Sequence, residues 1–207
     1  MFMINKLMAP VPVPISPTVL HKFAQPIIHH RASEFEKLLA ETLKQLKTVF
    51  KTEQPVLIVP GTGSAAMEAS LVNTLSEGDD VLCLVSGKFG QRWADMAKNY
   101  KLNTKIIETP WGQPVDVKLV ETELKQKNYA AVLCQGIETS TGTLNPINEI
   151  GRIIKKLSPN TLFMVDGITS IGVSDISMNS TGVDVLVAGS QKAFMLPTGL
   201  SLSLIHI

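Results

Sequence analysis

The sequence has only two cysteines among 207 residues, and neither has the close Cys or His neighbours that a zinc site needs. Cys83 and Cys134 each sit inside an apolar stretch, VLCLV and AAVLCQ, which predicts two buried strand thiols. No metal site is expected. An excess of one charge is also missing, since 19 Lys and Arg against 18 Asp and Glu leave a formal net charge of +1. No basic field points to nucleic acid, and no acidic tail suggests a disordered partner. No apolar run approaches the roughly 20 residues of a membrane span. The opening MFMINKLMAPVPVP lacks the continuous apolar stretch and cleavage site of a secretory signal. The expected location is therefore cytoplasmic, with no membrane partner. What is present is an ordinary globular composition, 44% hydrophobic and 18% charged, in a chain long enough to bury a substantial core.

Residues 9–17, APVPVPISP, carry Pro10, Pro12, Pro14 and Pro17 and cannot form regular helix. They predict an extended N-terminal arm over residues 1–32. Ser33 is expected to cap a helix whose apolar residues Phe35, Leu38, Leu39, Leu43, Leu46 and Phe50 recur at steps of three and four. Beyond it the pattern alternates. Strands are expected at 55–59, 81–85, 104–107, 130–134, 161–165 and 183–187, with helices at 64–75, 89–99, 116–127 and 146–157. Short β-branched runs alternating with helices predict an α/β fold with a mainly parallel sheet sandwiched by helices.

In such sheets ligands bind beyond the carboxyl ends of the strands. The segments there read GTGS, SGKFGQR, QGIETSTG, DGITS and GSQK. All are rich in glycine or small polar residues, which points to a cofactor site along one sheet edge.

The first segment, within VPGTGSAAMEA (59–69), resembles a dinucleotide fingerprint. It could equally cradle the phosphate of another cofactor or be a tight turn. A dinucleotide site demands an acidic residue at the end of the second strand. That strand, VLCLV, ends in Ser86-Gly87, and Asp79 and Asp80 precede it. NAD is the poorer fit. A phosphate cradle survives, because the N–H groups of Thr62, Gly63 and Ser64 at a helix N-terminus favour an anion.

In VAGSQKAF (187–194), Lys192 follows an apolar strand and can project into a cleft as a desolvated amine that forms a Schiff base. Asp166 ends the strand TLFMV, where a buried carboxylate calls for a cation or a strong donor. A strand-end carboxylate, a Schiff-base lysine and a helix-end phosphate site are together what pyridoxal 5′-phosphate (PLP) requires. Phe89 offers a flat face for its ring.

With PIIHHRASEF, GTGSAAMEA, SGKFGQRW, ETSTGTLNPI, VDGITSIG and GSQKAFMLPTG in this order, the chain resembles the class V aminotransferases of fold-type I. The similarity is greatest to the alanine–glyoxylate and serine–glyoxylate aminotransferases. The resemblance implies PLP as cofactor, and amino transfer from a small amino acid such as serine or alanine to a 2-oxo acid such as glyoxylate. It implies that Lys192 holds the cofactor and shuttles the substrate proton, and that Asp166 pairs with the ring nitrogen. Ile168 and Phe89 would flank the ring, Thr139 would lie near its phenolic oxygen, and Thr62, Gly63, Ser64 and Gln191 would contact the phosphate. A PLP lyase or desulfurase of the same fold would use the same lysine and aspartate. A desulfurase stacks a histidine where this chain has Phe89. A truncated protein without catalysis is the non-enzymatic alternative.

The chain departs from the family pattern at both ends. The family's arm reads PGP where this chain has Pro10-Val11-Pro12. The family also continues into a C-terminal small domain carrying a substrate-carboxylate arginine. Residues 33–201 are expected to be an incomplete PLP-binding large domain, inactive alone and a homodimer when full length. Arg31 and Arg92 are expected in surface or dimer roles. LSLIHI (202–207) leaves the pattern. One reverse translation, CTG TCT CTT ATA CAC ATC, is the mosaic-end adapter of transposon-based sequencing libraries, so these residues are expected to be a non-native tail.

Overall fold

The computed structural model describes residues 7–205, and a seven-stranded sheet forms their centre. β1 (Leu57–Gly61), β2 (Asp80–Val85), β3 (Asn103–Glu108), β4 (Ala131–Gln135), β7 (Leu162–Asp166) and β8 (Val185–Gly189) follow the expected apolar runs. Strand β9 (Gly199–Ile205) completes the order β1-β9-β8-β7-β4-β2-β3. The run from β3 to β8 is parallel throughout, and β9 is antiparallel to both β8 and β1. A two-stranded hairpin, β5 (Ile137–Glu138) with β6 (Thr143–Leu144), stands off the end of β4.

The helices α3 (Gly63–Thr74), α4 (Lys88–Asn99), α5 (Val117–Gln126) and α6 (Ile147–Leu157) are the crossovers, and a short α7 (Met178–Thr181) follows β7. Strand β2 shows why both faces of the sheet need cover. Val81, Cys83 and Val85 pack with Met67, Leu71 and Trp93 of α3 and α4. Leu82 and Leu84 join the opposite cluster, with Val120 and Leu124 of α5 and Ile150 and Ile154 of α6. Successive strand side chains alternate faces, so an unbroken apolar run is stable only between two helix layers. Helix α6 supplies its share through Ile147, Ile150, Gly151 and Ile154, all buried on one stripe. Cys83 and Cys134 are buried free thiols, as expected.

Two expectations change. The arm is not extended throughout, because α1 (Pro17–Phe23) lies within it. Ser16 accepts from the Val19 N–H at 3.3 Å as the N-cap, and Pro17 stands at the first helical position, where a missing N–H costs nothing. Helix α2 (Ser33–Phe50) has Ala32, not Ser33, at its N-cap, with no side-chain capping bond. Of its apolar stripe only Leu46 and Phe50 are buried. Residues 202–205, expected to be of non-native origin, are part of the sheet. They lie in β9, where Leu202 and Leu204 are buried beside Leu186 and Ala188. The alternation Leu202-Ser203-Leu204 matches the pleat, which is why the stretch can serve as a strand. His206 and Ile207 lie outside the described residues.

Candidate active site

The loops after β1, β2, β4, β7 and β8 converge on one cavity of about 320 Å³, and all nine site residues read from the sequence line it. From the first loop, α3 begins at Gly63 after the N-cap Thr62, whose side chain makes no capping bond. The first turn of the helix thus presents backbone N–H groups, with the positive end of its dipole, toward the cavity. Gly63 is required by close approach. A Cβ there would stand 2.4 Å from Cδ1 of Ile168, which rises from the loop after β7.

Phe89 sits in the first turn of α4. The helix packs directly on the sheet end, because a Cβ on Gly90 would meet Gln135 Oε1 at 2.8 Å and Val85 Cα at 3.0 Å. One helical turn on, the Arg92 guanidinium lies over the Phe89 ring, 4.8 Å from its centroid, and donates to Ser64 Oγ at 3.3 Å. Arg92 is therefore part of the cavity wall, which its expected surface or dimer role did not include. The sequence signal was its place three residues after Phe89, on the same helix face. The hydroxyls of Thr139 and Thr169 are hydrogen-bonded at 2.5 Å, joining the loop after β4 to the loop after β7.

Asp166, only 5% exposed, closes the base of the site at the end of β7. Its Oδ1 accepts from the Ile168 N–H at 2.9 Å, and no salt bridge reaches it among the described residues. Burial without a cation pushes its carboxyl up to about 7, against the lesser opposing pull of the Ile168 N–H and of Lys192. Lys192 follows β8 in a turn held by Ser190, whose Oγ donates to the Pro197 carbonyl at 2.6 Å. Loss of hydration holds its amine below the ordinary lysine range, partly offset by the charge of Asp166. Lys192 Nζ donates to the Pro10 carbonyl at 3.2 Å, and the neighbouring Val11 also lines the cavity. Gln191 Oε1 is buried with no hydrogen-bond partner among the described residues.

The acidic residue demanded by a dinucleotide is missing from this edge. Asp80 opens β2 at the opposite end and pairs with Lys127 at 2.7 Å. The cavity instead gathers an anion-favouring helix end, a buried carboxylate in want of a cation and a desolvated amine.

The profile of the family described as Aminotransferase class-V matches residues 18–206. Two curated relatives are the small subunit of soluble hydrogenase from Synechococcus, 39% identical over 94% of this chain and 51% of its own length, and L-aspartate–glyoxylate aminotransferase from Paracoccus denitrificans, 38% identical over 96% of this chain and 51% of its own. The crystal structure of alanine–glyoxylate aminotransferase from Nostoc superposes with a TM-score of 0.90 at 32% identity, covering 99% of this chain and 55% of that one. The chain thus spans about half the length of the curated relatives it matches. Its mostly parallel sheet is that of the fold-type I enzymes. With sequence profile, sheet and the five converging loops in agreement, this chain belongs to the class V aminotransferases, a PLP-dependent family.

Proposed function

We propose that the whole protein is a PLP-dependent aminotransferase that moves an amino group from a small amino acid, such as serine or alanine, to a 2-oxo acid such as glyoxylate. The observation that carries this reading is the meeting of Lys192, Asp166 and the N-terminus of α3 in one cavity.

The residues present fit the cofactor. Gly63 leaves a hollow that any Cβ would fill, beside the first-turn N–H groups of α3 and the hydroxyl-bearing Thr62 and Ser64. That set would hold a phosphate. No salt bridge reaches the buried Asp166 among the described residues, and a pyridinium nitrogen is a cation that would pair with it. PLP, when bound, supplies an electron sink beside the substrate Cα. The chain's own residues do the rest. Asp166 would pair with the ring nitrogen and favour its protonated, charged form. Lys192 Nζ, already below the ordinary lysine range, takes the proton from Cα and returns it. Phe89 and Ile168 close the cavity from two sides, and Thr139 supplies a hydroxyl.

Both aminotransferase relatives named above are glyoxylate enzymes with different donors, which supports glyoxylate as acceptor. A homodimer in the cytoplasm is part of the proposal. Phe23, Ile27 and Leu38 are 64%, 100% and 54% exposed and offer apolar surface to a second subunit.

The test is to load the whole protein with PLP, reduce it with borohydride and map the modified peptide. The label is expected on Lys192, and the loaded protein is expected to exchange amino groups between serine or alanine and glyoxylate. A label on another lysine, or no exchange with any small amino acid, would overturn the reading.

A further inference from the structure

We propose that Glu138 is a positioning residue whose buried carboxylate sets Phe89 and Thr139 in register across the cavity. The inference rests on the PLP reading above. Glu138 is wholly buried and stands in β5, directly before Thr139. Its Oε2 accepts from the Phe89 N–H at 3.0 Å and the Gly90 N–H at 2.9 Å. Its Oε1 accepts from the Ser140 N–H at 3.0 Å and from Ser140 Oγ at 2.6 Å. Ser140 Oγ in turn accepts from the Lys88 N–H at 3.0 Å.

The carboxylate has no ion-pair partner among the described residues. Four donors and the N-terminus of α4 hold its charge in place of a cation. Space is kept for it, because a Cβ on Gly87 would stand 2.6 Å from Glu138 Cγ and 2.6 Å from Ser140 Oγ. The first turn of α4, which carries Phe89, is thereby tied to the hairpin that carries Thr139. A glutamine here matches the shape and fails the chemistry. Its NH₂ group would face N–H or O–H donors, leaving at least one buried donor unmet.

The experiment compares Glu138→Gln, Phe89→Leu and the double variant in the whole protein. The readouts are PLP dissociation constant, visible circular dichroism of bound PLP and melting temperature of the cofactor-free protein. Glu138→Gln is expected to weaken PLP binding by about 10-fold, the scale of one lost charge-assisted hydrogen bond, and to alter the dichroic band. The effect is expected to be smaller when Phe89 is already leucine, since the carboxylate acts through that residue. Should Glu138→Gln not fold, Ser140→Ala removes one donor and is expected to give the same changes on a smaller scale. A lower melting temperature with unchanged PLP affinity and dichroism, or additive effects with Phe89→Leu, would overturn the inference and leave the PLP reading intact. A wild-type protein that gains no Lys192-dependent PLP band would overturn both.

Discussion

Lys192 Nζ donates to the carbonyl of Pro10 at 3.2 Å, a contact between residues 182 positions apart. The arm therefore crosses the cavity and meets the amine that the proposed chemistry depends on. Lys192 lies between two influences, the loss of hydration that lowers its proton affinity and the Asp166 charge that raises it.

Those opposing causes predict how Lys192 reacts in the cofactor-free protein. Its reaction with an amine-directed acylating reagent should proceed at lower pH than that of exposed lysines. Asp166→Asn removes the raising influence, so the profile should move further toward acid. Competitive labelling read by mass spectrometry measures both, and a Lys192 profile that coincides with the exposed lysines would refute the account.

Asp166 itself makes the cofactor-free protein sensitive to pH. Its carboxyl is raised by burial from 3.8 to about 7, so the folded state binds more protons there than the unfolded chain. The stability this group contributes is complete below the lower value and is lost as pH rises through the upper one. Asp166→Asn should leave stability unchanged near pH 4 and raise it by a few kcal/mol near pH 8. Thermal melts across that range decide it. With PLP bound the order should reverse, because asparagine cannot neutralise a cation.

Gly63→Ala should close the phosphate hollow. The new Cβ would lie 2.4 Å from Ile168 Cδ1, and relieving that overlap costs about 1–3 kcal/mol. Weaker PLP binding is expected, with partial recovery on adding Ile168→Val, which removes the nearest atom. PLP titration of the single and double variants supplies the answer. No recovery would mean that the glycine serves something other than this contact.

Away from the site, Gly151→Ala weighs two effects against each other. Alanine in a helix gains about 1 kcal/mol over glycine. Here its Cβ would fall 1.7 Å from the Thr181 carbonyl oxygen, a backbone atom that cannot swing aside as a side chain can. Overpacking wins, and urea denaturation should show a net loss of about 2 kcal/mol or more. A neutral or stabilised variant would show that α6 and α7 are not locked at this point.

Much of the molecule was legible in advance. β-Branched runs marked the parallel strands because each must be apolar on both faces, and glycine with small polar residues marked where they end. The local rule held less well where one residue type has two meanings. Pro17 excludes a helix interior and also begins a helix, so α1 was hidden in the arm. The stripe of α2 predicted burial that only Leu46 and Phe50 obtain, since amphipathicity names a face without naming what covers it. Glu138 gave no signal in ETSTG, because a buried carboxylate cannot be told from an exposed one until its donors are placed.

By itself, then, the sequence determined the periodicities, the strand ends and the residue types suited to an amine, a carboxylate and an anion. These are local matters of dihedral preference and side-chain chemistry, settled within a few positions of each residue. Only the tertiary structure decided that β9 enters between β1 and β8, that Pro10 reaches Lys192 and that Arg92 lies between Phe89 and Ser64. Those contacts join segments distant in the chain. They are selected by packing the whole sheet between its helices, which no local pattern encodes.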